Sequence, residues 1–431
     1  MESWGVDLMQ SWEMTVDRFI THAERWFGAQ VIASRAADGA ITHCTWSDIA
    51  RRARRVSRLL EAAGIGRGER VATLAMNSAR HVEAWFGIMG YGAVCHTLNP
   101  RLFDEQLVYI INHAADRWIF ADPAFQPLIE RLLPQCPTVE RVIYLCGSEG
   151  VPVGSDYESL LATVDEDFQF GGFSERSPAA LCYTSGTTGH PKGVLYSHRS
   201  QVLHTLISAQ RDFLSLSCTD TLLAIVPMFH VNAWGLPFLT AAAGARLVLP
   251  GARLDGASVY ELIEAEQVTF SAAVPTVWQL LFDYLRTHGL RLTTLKRVAI
   301  GGSACPEALV RGFKEEHGVE VLHAWGMTEM SPIGTISGPL PAALAQADER
   351  TRMAYNLKQG RVPFGVDLKI TDDEGARQPH DGVAQGRIKV KGPAILDRYF
   401  REETSVLDGE GYFDTGDIGT VDAHGYLQIT D

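Results

Sequence analysis

The sequence is short of basic residues. Its 38 lysines and arginines stand against 51 acidic residues, a net charge of −13. Nucleic-acid binders carry a basic surplus or stripe, so the balance argues against that class and against docking on an anionic membrane. Any polyanionic ligand has to be held by a local pocket, not by the field of the whole molecule. Cysteine is sparse as well. The seven cysteines, Cys44, Cys95, Cys136, Cys146, Cys182, Cys218 and Cys305, include no C-x-x-C pair, which leaves no zinc or dithiol redox motif. With no secretory signal at the N-terminus, reduced thiols in a cytoplasmic protein are the expectation. No apolar run reaches the ~18 residues of a membrane-spanning helix. The apolar stretch 231–245 reads as a buried helix or a pocket wall. Internal repeats and low-complexity tracts are missing, and so is the G-x-x-x-x-G-K-[ST] loop of the Walker nucleotide sites.

What is present suits a large α/β protein. Hydrophobic residues make up 46% of the 431, enough for several cores. Residues 46–63 have helical periodicity, with Ser47 placed to cap them and Gly64 and Gly66 to end them. Short apolar runs at 70–75, 93–98, 118–121 and 142–145 alternate with helical segments such as 79–89. That is the pattern of a parallel sheet with crossover helices. The stretch 147–177 is polar and acidic and reads as a long surface connection. Alternation then resumes, with strands expected at 222–226, 246–249, 268–272 and 298–301 and helices at 200–213, 258–266 and 306–317. From about 358 the character turns β-rich, with turns at 372–375, 380–382 and 422–425. The expected organisation is a first α/β unit over 1–175, a second over 176–357 and a smaller β-rich unit over 358–431. Residues 14–26 form an apolar helical pattern able to pack on a partner subunit.

One run stands out chemically: Tyr183-Thr184-Ser185-Gly186-Thr187-Thr188-Gly189-His190-Pro191-Lys192-Gly193. Its glycines let backbone N–H groups approach an anion, its hydroxyls add donors or metal ligands, and Lys192 adds a positive charge. Four further stretches accompany it. They are the aromatic/His segment Pro227 to Gly235, the strand–helix turn Gly301 to Pro306, the run His323-Ala324-Trp325-Gly326-Met327-Thr328-Glu329, and Tyr412-Phe413-Asp414-Thr415-Gly416-Asp417. A helix N-terminus such as the one after Gly302, Ser303 and Ala304 favours polar or negative ligand atoms.

In order and spacing these stretches resemble the adenylate-forming superfamily, which comprises acyl-CoA synthetases, luciferases and the adenylation domains of peptide synthetases. The resemblance covers nearly the whole chain. It implies a large N-terminal domain of two α/β sheet subdomains plus a smaller β-rich one, using ATP and Mg²⁺ and forming AMP. Thr184, Ser185, Gly186, Thr187, Thr188, Gly189 and Lys192 would cradle the phosphates. Gly302, Ser303, Ala304, His323, Ala324, Gly326 and Met327 would border the nucleotide, and Trp325, where relatives usually carry tyrosine, would stack on adenine. Thr328 would bond the α-phosphate, Glu329 with Thr184 would hold Mg²⁺, and Asp417 would accept the ribose hydroxyls. His230 would line the carboxylate site, so that Lys192, His230, Thr328 and Glu329 form the catalytic set. Asp414 would simply cap a turn. Arg387 stands where relatives usually carry glutamate.

Residues 228–254 contain no Asp or Glu, whereas peptide-synthetase domains usually place an acid near here for the substrate ammonium. An amino-acid substrate is therefore not expected. The segment around Trp234 instead resembles medium- and long-chain fatty acyl-CoA synthetases and methylthiopropionate-CoA ligases. Val231, Asn232, Trp234, Gly301, Gly326, Met327 and Pro332, with His230, are the expected acyl-pocket lining. An aryl-alkanoic acid is an alternative substrate, and a non-catalytic nucleotide sensor is the alternative of another class. CoA is the expected second substrate and a homodimer the expected assembly. In relatives a hinge and a mobile C-terminal domain follow the strand near residue 429, so the sequence leads one to expect a chain without that domain and with impaired acyl-CoA formation.

Overall fold

The computed structural model describes residues 9–184 and 189–431. Two large sheets and one small sheet account for its strands. The chain opens with the hairpin β1 (Val31–Arg35) and β2 (Ile41–Thr45). It continues through β3 (Arg70–Leu74), β4 (Val94–Thr97), β5 (Trp118–Ala121), β6 (Arg141–Tyr144), β7 (Pro178–Tyr183) and β8 (Gly193–Ser197). Then come β9 (Thr221–Ala224), β10 (Arg246–Leu249), β11 (Phe270–Ala273), β12 (Arg297–Ile300), β13 (Glu320–Gly326) and β14 (Ile333–Ile336). A last group comprises β15 (Asp367–Thr371), β16 (Gly386–Lys391), β17 (Phe413–Val421) and β18 (Leu427–Ile429).

The first large sheet has the order β6-β5-β3-β4-β7-β8 and is parallel except for the β7–β8 pair. The second has the order β14-β13-β12-β11-β9-β10-β1-β2, with antiparallel pairs at both edges. Sheet membership crosses residue 175 in both directions. The N-terminal hairpin joins the second sheet through β1 against β10, while β7 and β8 complete the first. The small antiparallel sheet β15 to β18 follows residue 357. The architecture is the expected α/β one of two sheets with a smaller β-rich part.

The helices sort by how much of their surface is apolar. The helix Ala79–Tyr91 is buried continuously from His81 to Gly90 and touches β1 of one sheet and β3 and β4 of the other. A helix hydrophobic all round has to lie inside. The helices His198–Ser208 and Leu236–Ala243 join it in the layer between the sheets. Helices with one apolar face cover the outer surfaces, Asp104–Ala114 on the first sheet and Gly256–Ala265 and Pro275–His288 on the second.

Three local features differ from the sequence expectation, each for a physical reason. The helix Trp46–Ala62 is capped by Thr45, not Ser47. Thr45 Oγ1 accepts the Asp48 N–H while Asp48 accepts the Thr45 N–H, a reciprocal box that satisfies two end groups at once. The connection 147–177 carries the helix Tyr157–Ala162, whose Tyr157 is fully buried and donates its hydroxyl to Glu83 at 2.9 Å. The N-terminal helix Asp17–Phe27 turns its apolar face, Phe19, Ile20 and Ala23, into its own chain, where Phe19 stacks on Phe238 at 5.9 Å.

The close approach of helices Trp46–Ala62 and Ala79–Tyr91 depends on Gly87. A Cβ there would lie 2.5 Å from Val56 Cβ and 2.7 Å from the Ala53 carbonyl oxygen, and the Gly87 carbonyl accepts Ser57 Oγ at 2.7 Å. Helix propensity alone would make Gly87→Ala stabilising by about 1 kcal/mol. Overpacking should reverse the sign and destabilise by about 1–3 kcal/mol. A urea melt of the two proteins decides, and a more stable variant would show that the helices can separate at little cost.

Candidate active site

In a parallel sheet all strand carboxyl ends point the same way, and ligands of open α/β sheets bind beyond those ends. Here the ends of β4, β7, β12 and β13 open on one cavity of about 800 Å³, closed on a further side by β17 of the small sheet. Its wall includes Thr184, Lys192, His230, Val231, Trp234, Gly301, Gly302, Ala324, Trp325, Gly326, Met327, Thr328, Glu329, Pro332 and Asp417. The separate stretches singled out in the sequence are thus brought together in space. Ser185, Gly186, Thr187 and Thr188 lie outside the described residues. Gly189, Asn232, Ser303, Ala304 and His323 are described but do not line the cavity. Gly189, Ser303 and Ala304 are exposed. His323 is buried, with its Nδ1 2.9 Å from the Leu357 carbonyl oxygen.

The candidate phosphate loop springs from the antiparallel pair β7–β8, whose last partners are Tyr183 and Gly193. One step further, the Thr184 N–H donates to the Lys192 carbonyl at 2.9 Å. The loop is therefore pinched at its base, and Thr184 and Lys192 are presented side by side. Lys192 is exposed, its Nζ 4.8 Å from the centre of the Tyr399 ring. Tyr399 donates its hydroxyl to Glu329 Oε1 at 2.8 Å. Burial pushes the Glu329 carboxyl above its ordinary pKa, against the opposing effects of the Tyr399 hydrogen bond and the Lys192 charge. Tyr196 fixes the same turn by donating to the Thr328 carbonyl at 2.7 Å.

Two β-bulges aim Trp325 and Asp417 at the cavity. Along β13 and β14 the register slips between Trp325 and Gly326, and a Cβ on Gly326 would sit 1.9 Å from the Pro332 carbonyl oxygen. Only glycine fits there. Along β16 and β17, Arg387 pairs with Ile418 and Lys389 with Asp414, so two steps on one strand face four on the other. The excess pushes Thr415, Gly416 and Asp417 out of the ladder toward the cavity. Asp414 caps this bulge by accepting the Gly416 N–H at 3.0 Å and pairs with Arg387 at 2.9 Å. Trp325 Nε1 donates to Asp417 Oδ2 at 2.8 Å, a contact between two sequence-distant candidates.

The opposite wall carries an unusual backbone. Val231, Asn232, Ala233 and Trp234 all have positive φ, 45°, 51°, 50° and 55°, followed by Gly235 at 73°. Left-handed conformation costs roughly 1–2 kcal/mol for each non-glycine residue. In a turn of three residues per repeat, positions i and i+3 share a side, and so Val231 and Trp234 both reach the cavity while Ala233 enters the core. Two buried polar atoms beside this turn, Asn232 Nδ2 and His204 Nδ1, find no partner among the described groups. Desolvation within the cavity, and then the Arg101 charge, push the His230 pKa below its ordinary value, although the side chain is exposed to the open cavity. The lining carboxylates are Glu329 and Asp417, while Phe229, Val231, Trp234, Pro332 and Ile333 give the cavity its apolar lining.

Two residues that sequence reasoning did not single out help build the site. Tyr399 is one. Asn77 is the other: its Nδ2 donates to the Ala224 and Val226 carbonyls at 2.7 and 2.8 Å, and its Oδ1 accepts the Met228 N–H at 2.7 Å. Among the described residues no group of three or more His, Cys, Asp or Glu side chains converges as a metal cage. A hard cation held by Thr184 and Glu329 would take its remaining oxygens from phosphate and water, as Mg²⁺ commonly does.

Comparison with known proteins agrees with this geometry. The family model described as AMP-binding enzyme matches residues 21–400. The 3-methylmercaptopropionyl-CoA ligase of Ruegeria lacuscaerulensis is 44% identical, over 98% of this chain and 79% of the relative. The medium-chain-fatty-acid–CoA ligase of Ectopseudomonas oleovorans is 42% identical, over 97% and 78%. Among solved structures, the N-terminal domain of FACL13 from Mycobacterium tuberculosis superposes with a TM-score of 0.83 at 25% identity, over 97% of this chain and 99% of that one. The chain belongs to the AMP-binding enzyme family, the adenylate-forming superfamily that its motifs resemble.

Asn77 offers the sharpest test of the geometry. Asn77→Ala leaves two buried carbonyls and one buried N–H unpaired, at about 1–3 kcal/mol each, so a loss of about 3 kcal/mol or more is expected in chemical denaturation. A change below 1 kcal/mol would mean that the segment 224–228 is held by other contacts.

Proposed function

We propose that the protein is an AMP-forming acyl-CoA ligase. It activates a carboxylic acid with ATP as the acyl-adenylate and then passes the acyl group to the thiol of CoA. The observation that carries this reading is one cavity with two unlike arms. A polar arm with Thr184, Lys192, Trp325, Thr328, Glu329 and Asp417 suits a nucleotide. An apolar arm with Phe229, Val231, Trp234 and Pro332, free of acidic residues, suits an alkyl chain. His230 stands between them.

In the first step a carboxylate oxygen of the acid attacks the α-phosphorus and pyrophosphate leaves with its bonding electrons. In the second, the CoA sulfur attacks the acyl carbonyl carbon and AMP leaves. Such transfers depend on positioning and charge stabilisation more than on a general base. Lys192 faces the departing phosphates, and Thr328 the α-phosphate. A neutral His230 hydrogen-bonds the carboxylate without trapping it in an ion pair, so the nucleophile keeps its charge. Thr184 and Glu329 would hold Mg²⁺, which would offset phosphate charge.

The acid we propose is a fatty or related alkanoic acid. Relatives at 42–44% identity named for 3-methylmercaptopropionate and for medium-chain fatty acids support this range, and an aryl-alkanoate fits the same apolar wall. CoA-dependent AMP release across a panel of acids tests the reading. It fails if no acid stimulates release and neither ATP nor AMP binds the folded protein.

Two substitutions separate the arms. Lys192→Ala should weaken ATP more than AMP, by about 1.5–3 kcal/mol for one charge-assisted contact; equal losses in calorimetry would contradict contact with the leaving phosphates. Trp234→Ala should raise relative kcat/KM for bulkier acids and leave the ATP parameters in place. A uniform fall with a lower Tm would instead mark Trp234 as plain core.

A further inference from the structure

The contact between Trp325 and Asp417 joins the surface read as the base platform to the group read as the sugar acceptor, and its geometry is specific. Trp325 is 7% exposed. Its six-membered ring lies against Gly334, where an added Cβ would be 3.0 Å from Cζ3, and Met330 closes the same spot. The indole plane is therefore set by packing, and with it the direction of the N–H, which lies in that plane. Asp417 is less constrained by its own backbone. It follows Gly416 at φ 84° on the bulge of β17, and its N–H donates to the nearby Thr415 Oγ1 at 3.2 Å. Among the described residues the hydrogen-bond partner of its carboxylate is Trp325 Nε1.

In a nucleoside the sugar leaves the base roughly in the base plane. A base stacked on the indole face therefore places its ribose beyond the indole edge, the side to which the N–H points. The N–H uses one lone pair of Oδ2. The remaining lone pairs of the carboxylate stay open for two hydroxyls.

We propose that Trp325 is a positioning residue for ribose recognition: its indole N–H holds Asp417 in the rotamer that accepts the 2′- and 3′-hydroxyls, coupling base stacking to sugar binding. The proposal rests on the reading of Asp417 as the ribose acceptor. A phenylalanine at 325 would keep a flat face and lose the edge donor, leaving Asp417 free to turn into solvent.

Calorimetry with AMP and 2′,3′-dideoxyAMP on the wild-type protein, Trp325→Phe, Asp417→Ala and the double variant tests it. The wild type should prefer AMP. Trp325→Phe should weaken AMP about tenfold, the scale of one hydrogen bond to a charged group, while dideoxyAMP changes little. The double variant should bind AMP as weakly as Asp417→Ala alone, because both changes remove one interaction. Equal losses for the two nucleotides, additive losses in the double variant, or no loss at all would each overturn the proposal. If Asp417→Ala leaves the preference for AMP intact, the ribose reading itself falls, and the positioning role with it. A measurement that spares Trp325 stands beside these. In ¹H–¹⁵N spectra the Trp325 indole N–H should shift upfield and exchange faster in Asp417→Ala, and an unchanged resonance would show that the hydrogen bond does not form in solution.

Discussion

Asn77 ties the two large sheets together where it matters. It lies just beyond the carboxyl end of β3 in the first sheet, and all three of its side-chain hydrogen bonds go to the carboxyl end of β9 and the turn after it in the second. Its own carbonyl accepts the Gly251 N–H from the end of β10. At 3% exposure these bonds compete with no water, and losing them would leave several buried groups unpaired at once. The cavity draws on both sheets: the loop bearing Thr184 and Lys192 comes from the first, and the segment carrying His230 and Trp234 from the second. Parallel strands make the convergence available, since their ends all face one way, and Asn77 fixes the distance between the two sets of ends.

Several local costs of the structure lie around the same cavity. Four consecutive non-glycine residues are left-handed at 231–234, Asn232 and His204 each hold a buried nitrogen with no partner among the described residues, and Glu329 is held as a buried carboxyl. Four left-handed non-glycine residues in a row on one wall of the cavity fit a surface shaped for a ligand rather than for stability. The two bulges fit the same view. Each interrupts a ladder to turn one side chain, Trp325 or Asp417, toward the other, and each needs a glycine beside it.

The α/β class, the two sheets and most strand positions were legible because apolar runs of four to six residues bounded by turns have few other uses. Contiguous motifs placed Lys192, Trp325, Thr328, Glu329 and Asp417, since each carries its neighbours with it. Sheet membership was not legible: β1 pairs with β10, more than 200 residues away, and nothing in the hairpin 31–45 names that partner. Asn77 and Tyr399 were missed because each is a single polar residue in unmarked surroundings whose partners lie far along the chain, Met228 for one and Glu329 for the other. The left-handed turn gave no signal because its first glycine is its last residue, Gly235. Thr45 was passed over for Ser47, though Thr45 and Asp48 together carry the spacing of a capping box.

On the proposed function, the polar and apolar arms of the cavity are two halves of one acyl-adenylate site. The most direct test is the affinity of a non-hydrolysable acyl-sulfamoyl adenosine, measured beside AMP and the matching free fatty acid on the same protein. An intermediate mimic that spans both arms should bind at least ~100-fold more tightly than AMP, as analogues of activated species do, and should displace AMP and the fatty acid competitively. Binding no tighter than AMP, with the acid still free to bind alongside it, would show that the two arms do not serve one reaction.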